Sequence, residues 1–140
     1  MGYLQRSVWV WPHAAEALLQ EIIQARGIPE CFCGFEASRL FLCSTEEVVT
    51  TAWDFQEIAR RHQTYLQHLV ANTGSLNRAR DLQELAMVVR VEREAYQYAF
   101  FLDPLLPRSL WPKTYRGPIV AERHEVFCAC LRRRLPEMQK

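Results

Sequence analysis

The sequence predicts an α+β chain, with a strand–helix–strand unit over residues 1–48 and an all-helical part over residues 49–140. Three observations carry this reading. Leu4–Trp11 is a run of β-branched and aromatic residues closed by Pro12, the pattern of a strand. From Ala52 onward, apolar residues recur at helical spacing. Prolines at 104, 107 and 112 each remove an N–H donor and clash with the preceding turn, so they mark a rigid elbow between helices.

After the first strand, a helix is expected at residues 14–26. Ala15, Leu18, Leu19, Ile22 and Ile23 share one of its faces, and Gly27 with Pro29 is its stop. Cys31–Cys43 is strand-like in two pieces, with Phe32, Phe35, Leu40, Phe41 and Leu42 as its apolar content. Thr50 and Thr51 are placed to cap a helix from Ala52 to Val70, whose stripe is Phe55, Ile58, Ala59, Leu66 and Leu69. His62 falls within about 20° of Phe55 on the helical wheel. It is therefore either a histidine satisfied at the rim or by a backbone carbonyl, or part of an internal pocket.

A loop is expected at residues 72–77, around Gly74 and Ser75, and then a helix from Arg78 to Leu102 with Leu82, Leu85, Ala86, Val89, Tyr96 and Phe100 on one face. Arg93 lies on that face too, about 20° from Phe100. A lone charge there is costly to bury, so Arg93 either pairs with Asp103, Asp54 or Glu94 of a second copy, or receives a phosphate or carboxylate of a ligand. Beyond the elbow, Pro118 opens a last helix to Leu135, buried through Ile119, Val120, Val126, Phe127, Cys130 and Leu131. Arg132–Arg134 near its end complement the helix dipole.

With 140 residues, 49% of them hydrophobic, the chain can bury a core, read here as two small parts sharing an interface. A formal charge of +1 falls short of the basic balance of a stand-alone nucleic-acid domain. There is no long apolar run for a membrane span and no signal-peptide pattern after Met1, so a cytoplasmic location is expected. The five cysteines, at 31, 33, 43, 128 and 130, are odd in number and come without a secretory signal, which argues for reduced thiols. On a helix Cys128 and Cys130 stand about 200° apart, and on a strand the Cys31 and Cys33 thiols are too distant for one tetrahedral site. They read as small buried hydrophobes, and neither metal nor cofactor is expected. The chain has no Gly-x-Ser-x-Gly elbow, glycine-rich phosphate loop or His-Glu-x-x-His pair, and no catalytic residue is assigned.

The segment Asp103-Pro104-Leu105-Leu106-Pro107-Arg108-Ser109-Leu110-Trp111-Pro112, followed by Tyr115-Arg116-Gly117, resembles one in the PaaX family of bacterial transcriptional repressors. The family's form is Asp-Pro-x-Leu-Pro-x-x-Leu-x-Pro, an aromatic, then Gly. Leu4–Pro12 looks like a strand of the family's central domain, and Trp53-Asp54-Phe55 with Tyr65 looks like the start of its C-terminal helical domain. The resemblance implies that residues 1–48 are the end of a ferredoxin-like central domain, without its first strand and helix, and that residues 49–140 are the helical C-terminal domain. It implies too that the winged helix is absent before Gly2, so that DNA is reached only through a missing part and no residue here contacts it.

An incomplete sheet has an open edge, which favours a homodimer. Function follows from the resemblance alone: dimerisation and effector sensing for a repressor of aromatic-acid catabolism, with an aryl-CoA thioester such as phenylacetyl-CoA as effector. Nuclease activity is not expected, because the acidic ligands of the related CRISPR-adaptation fold would sit on the absent strand, and Asp54, Asp81 and Asp103 lie elsewhere. The effector site expected from mid-stripe positions is Trp53, His62, Tyr65, Arg93 and Tyr96. Two other classes stay open: a small thioester hydrolase using Cys31, Cys43 or His62, and a free-standing protein-interaction subunit.

Overall fold

The computed structural model describes residues 2–5, 8–27, 34, 36–37 and 40–139. In chain order they form strands β1 (Gly2–Gln5) and β2 (Val8–Val10) and helices α1 (Glu16–Arg26), α2 (Thr45–Ala52), α3 (Phe55–Arg78), α4 (Leu82–Phe100) and α5 (Gly117–Arg134). Short 3-10 turns stand at Arg108–Leu110 and Leu135–Gln139. The chain divides into two compact units, Met1–Asp54 with Leu106–Pro112 and Phe55–Leu105 with Lys113–Lys140.

The first unit overturns the α+β expectation. β1 and β2 pair antiparallel, Gly2 opposite Val10, Tyr3 opposite Trp9 and Gln5 opposite Val8, so the run read as one strand is two short ones. Of the second expected strand, residues 31–33, 35 and 38–39 lie outside the described residues, and 40–43 have no regular structure. α1 ends as expected at Gly27, whose φ of 76° favours glycine and whose N–H closes on the Ile23 carbonyl at 2.8 Å. It nevertheless buries none of its residues, leaving Leu18 and Ile22 about half exposed. A ferredoxin-like unit requires a sheet broad enough to cover such a face. Two strands of four and three residues do not provide one. Among the described residues there is no strand–helix–strand unit, and the chain is helical in class apart from this strand pair.

The strands seat α2 instead. Gly2 is buried so close to the next layer that a Cβ there would lie 2.5 Å from the Trp53 ring and 2.8 Å from the Ala52 methyl. α2 was not expected: Thr50 and Thr51 lie inside it, and its N-cap is Ser44. The Ser44 hydroxyl accepts the Glu47 N–H at 3.1 Å while the Glu47 carboxylate accepts the Ser44 N–H at 2.6 Å, a capping box that holds the Glu47 carboxyl below the usual range. Val49, Ala52, Trp53 and Leu106 are buried hydrophobic residues of this unit, and the Trp111 indole N–H donates to the Leu106 carbonyl at 2.6 Å.

In the second unit, α4 and α5 both pack on α3. α3 buries Ile58, His62, Tyr65, Leu69, Asn72 and Leu76, an unbroken three-and-four spacing that runs through the residues expected to be a loop. Gly74 costs a helix interior about 1 kcal/mol relative to alanine. The burial of Asn72 and Leu76 on either side outweighs that cost, and the Ala79 N–H still reaches the Ser75 carbonyl at 3.0 Å. Asp81 caps α4 by accepting the Glu84 N–H at 2.8 Å. The core joins Tyr65, Leu69 and Leu76 of α3 to Leu85 and Ala99 of α4 and Val120 and Phe127 of α5. No helix among the described residues is long and apolar enough to cross a membrane.

A Cβ at Gly74 would touch only the Arg78 guanidinium, at 3.3 Å, and that end of a flexible side chain can move aside. Gly74→Ala is therefore expected to raise the free energy of unfolding in urea by about 0.5–1 kcal/mol. A loss of stability would show that α3 is broken at this point.

Candidate functional site

Two buried carboxylates organise the second unit. The first is Asp103, where α4 gives way to the proline elbow. Its side chain is fully buried, as is that of His62 on α3, and His62 Nε2 lies 2.9 Å from Asp103 Oδ2. That contact is close but is not a directed hydrogen bond, for neither nitrogen of the His62 ring has a partner in line. The Tyr115 hydroxyl donates to both Asp103 oxygens, at 2.8 and 3.0 Å, and the Leu105 N–H donates to Oδ1 at 2.8 Å. Burial, and then this bond to Asp103, push the Tyr115 phenol far above its usual pKa. Leu105 itself stands at φ 51°, in the left-handed region that disfavours any residue with a Cβ.

The second centre is Glu92, only 2% exposed in the middle of α4. Burying a lone carboxylate costs several kcal/mol, and this one is surrounded by donors. The Tyr65 hydroxyl donates to its Oε1, and the Asn72 amide donates to Oε2 at 2.9 Å. His124 Nδ1 of α5 lies 3.2 Å from Oε1 and 3.1 Å from the Tyr65 oxygen, and His68 Nε2 of α3 lies 3.6 Å from Oε2. The Tyr96 ring stacks on His124 at 3.7 Å between centroids and meets Tyr65 edge-on at 5.6 Å. Beyond the ring, His124 Nε2 lies 3.5 Å from Cys128 Sγ. The order thiol, imidazole, carboxylate is that of a nucleophile relay, yet burial and the nearby Glu125 carboxylate push the thiol up, so it stays protonated. What results chemically is a chain of hydrogen bonds joining α3, α4 and α5. Among the described residues no cluster of histidine, cysteine and carboxylate is arranged to hold a metal ion.

His62, Tyr65 and Tyr96 are brought into one aromatic cluster, linked through Phe100, whose ring lies 5.5 Å from His62 and 5.0 Å from Tyr96. The Tyr115 ring also packs on His62, at 5.7 Å between centroids. Trp53 belongs to the first unit. Arg93 is exposed at the rim of a groove between α4 and α5 and, among the described residues, forms no ion pair, the Glu94 carboxylate that lines the same groove being paired with Arg90. Asp103, one of its expected partners, is held by Tyr115 and His62 instead. The charge that α4 buries is one position earlier, because its inner face runs through Leu85, Glu92 and Ala99, spaced by seven, rather than through Leu82 and Arg93. Glu92, Asn72 and His124 escape a search for apolar stripes since each is polar; the heptad from Leu85 to Ala99 is the one signal that marks Glu92.

Residues 53–138 match the family model for the PaaX-like protein C-terminal domain. No curated protein and no solved structure matches the chain.

Glu92→Ala strands the Tyr65 and Asn72 donors and is expected to cost about 3 kcal/mol or more in urea unfolding, whereas Glu92→Gln, which keeps an acceptor, costs clearly less. Equal losses would mean that the carboxylate is not the organising group. The phenols set a second expectation. Tyr65 is pushed far up by burial and then by its bond to Glu92, as Tyr115 is by burial and Asp103. A pKa raised in the folded chain supports the fold below the ordinary value of 10.0 and withdraws that support as pH climbs above it. Stability should fall above about pH 10, and the fall should flatten in Tyr65→Phe and Tyr115→Phe, as read by denaturation at stepped pH.

Proposed function

Because the chain belongs to the PaaX-like protein C-terminal domain family, whose model covers residues 53–138, we propose that it is the dimerising, effector-sensing portion of a transcriptional repressor of aromatic-acid catabolism. Family membership carries the regulatory part of this reading. The effector we propose is an aryl-CoA thioester, and contact with operator DNA falls to a winged helix outside these residues.

The buried centres support a sensing role. An effector shifts a regulator only by binding one arrangement better than another, and moving an equilibrium from 1:99 to 99:1 takes about 5.5 kcal/mol of differential affinity. Coupling of that size needs elements that move together. In the second unit, Glu92 ties α3, α4 and α5 into one hydrogen-bonded set, and Asp103 ties the start of the elbow to α3. Of the proposed effector contacts, Arg93 meets solvent directly, while the rings of His62, Tyr65 and Tyr96 connect the two centres through Phe100, which supports a relay between them.

The test is calorimetric titration of the chain with an aryl-CoA thioester and with free CoA, alongside sedimentation to find the oligomeric state. A dimer that binds the thioester, prefers it to CoA and returns it intact supports the reading. Turnover of the thioester would replace it with the hydrolase alternative. A chain that binds neither compound would refute effector sensing.

A further inference from the structure

α4 and α5 lean on α3 and meet each other where Glu92 faces His124. Away from that point, alongside the first half of α4 and the end of α5, they leave a groove of about 750 Å³. Its walls are apolar, Leu85 and Val89 from α4 and Leu131 from α5, with Leu82 and Leu135 partly exposed at its edge. Two arginines and one carboxylate, Glu94, line it as well. Arg90 is already bound, its guanidinium 3.0 Å from the Glu94 carboxylate. Arg93 is exposed and, among the described residues, has no acidic partner.

We propose that this groove binds a small apolar carboxylate, with its hydrocarbon body against Leu85, Val89 and Leu131 and the carboxylate in the fork of Arg93. Size, lining and charge each point to that chemistry. Pockets for small molecules span about 300–1,000 Å³ and combine apolar walls with a few placed polar groups. A guanidinium takes a carboxylate through two parallel hydrogen bonds, which fixes orientation as well as charge. Arg90 is the internal control, since the neighbouring carboxylate of Glu94 already neutralises it. The inference rests on the effector-sensing reading only for its biological role, because binding is measured on its own.

The experiment is calorimetric titration of the whole chain with 2-naphthoate and with the uncharged 2-naphthalenemethanol. The acid is expected to bind and the alcohol to bind at least tenfold more weakly. Arg93→Gln should weaken the acid by about tenfold, Arg90→Gln should change it less than twofold, and Ala86→Phe, which fills the groove from an exposed position, should abolish binding while far-ultraviolet circular dichroism stays unchanged. Equal affinity for acid and alcohol, or equal binding by wild type and Arg93→Gln, overturns the proposal. So does a dimer that Ala86→Phe separates into monomers without any naphthoate binding, which would assign the groove to a second copy. A chain that takes naphthoate through Arg93 but ignores aryl-CoA sinks effector sensing and leaves the groove standing. The reverse result sinks the groove alone.

Discussion

The contact on which the second unit turns is the buried carboxylate of Asp103. Prolines 104 and 107 make the chain stiff after α4, but stiffness alone does not decide where it points. Asp103 does so by taking three groups from different parts of the chain: the Leu105 N–H just beyond it, the Tyr115 hydroxyl twelve residues on, and the His62 ring from α3. With Tyr115 fixed, α5 starts from a defined place. Gly117, at that start, leaves room for the Tyr115 ring, since a Cβ there would come within 2.5 Å of it. The Asp-Pro pair of the family-like segment thus has a physical role, with the proline limiting the backbone and the aspartate choosing one conformation from those that remain.

Glu92 performs the corresponding task in the middle of the bundle. Side chains from α3 and α5 converge on it, so helices that share an ordinary apolar core also share a polar register. Apolar packing tolerates sliding and repacking more readily than a carboxylate whose donors must all be satisfied. The two centres therefore restrict α3, α4 and α5 to few relative positions.

The chain's corners and helix ends were legible from residue order in both units. The Asp103–Pro112 segment marked the elbow, Pro118 the approach to α5 and Gly27 the stop of α1, because proline and glycine act through local backbone geometry that needs no tertiary context. What failed depended on context. The β-branched run at Leu4–Trp11 has strand character, but residue type says nothing about how many strands will assemble beside it, and among the described residues the expected ferredoxin-like unit is not formed. Gly74 and Ser75 resemble a loop until Leu76 is seen buried on the far side. The face of α4 expected through Leu85, Tyr96 and Phe100 does meet the core, but the charge that α4 buries is Glu92 and not Arg93, and a carboxylate is a poor guess for a buried position unless its tyrosine, asparagine and histidine neighbours on other helices are known.

Leu105 shows what such a corner stores. A leucine at positive φ carries about 1–2 kcal/mol of torsional strain, and here its N–H is bound by the aspartate two residues earlier. The corner therefore resembles a spring held by a single latch. If the Asp103 carboxylate were drawn away from that N–H, the backbone would relax in a direction already set by its neighbours, Pro104 on one side and Pro107 shortly after.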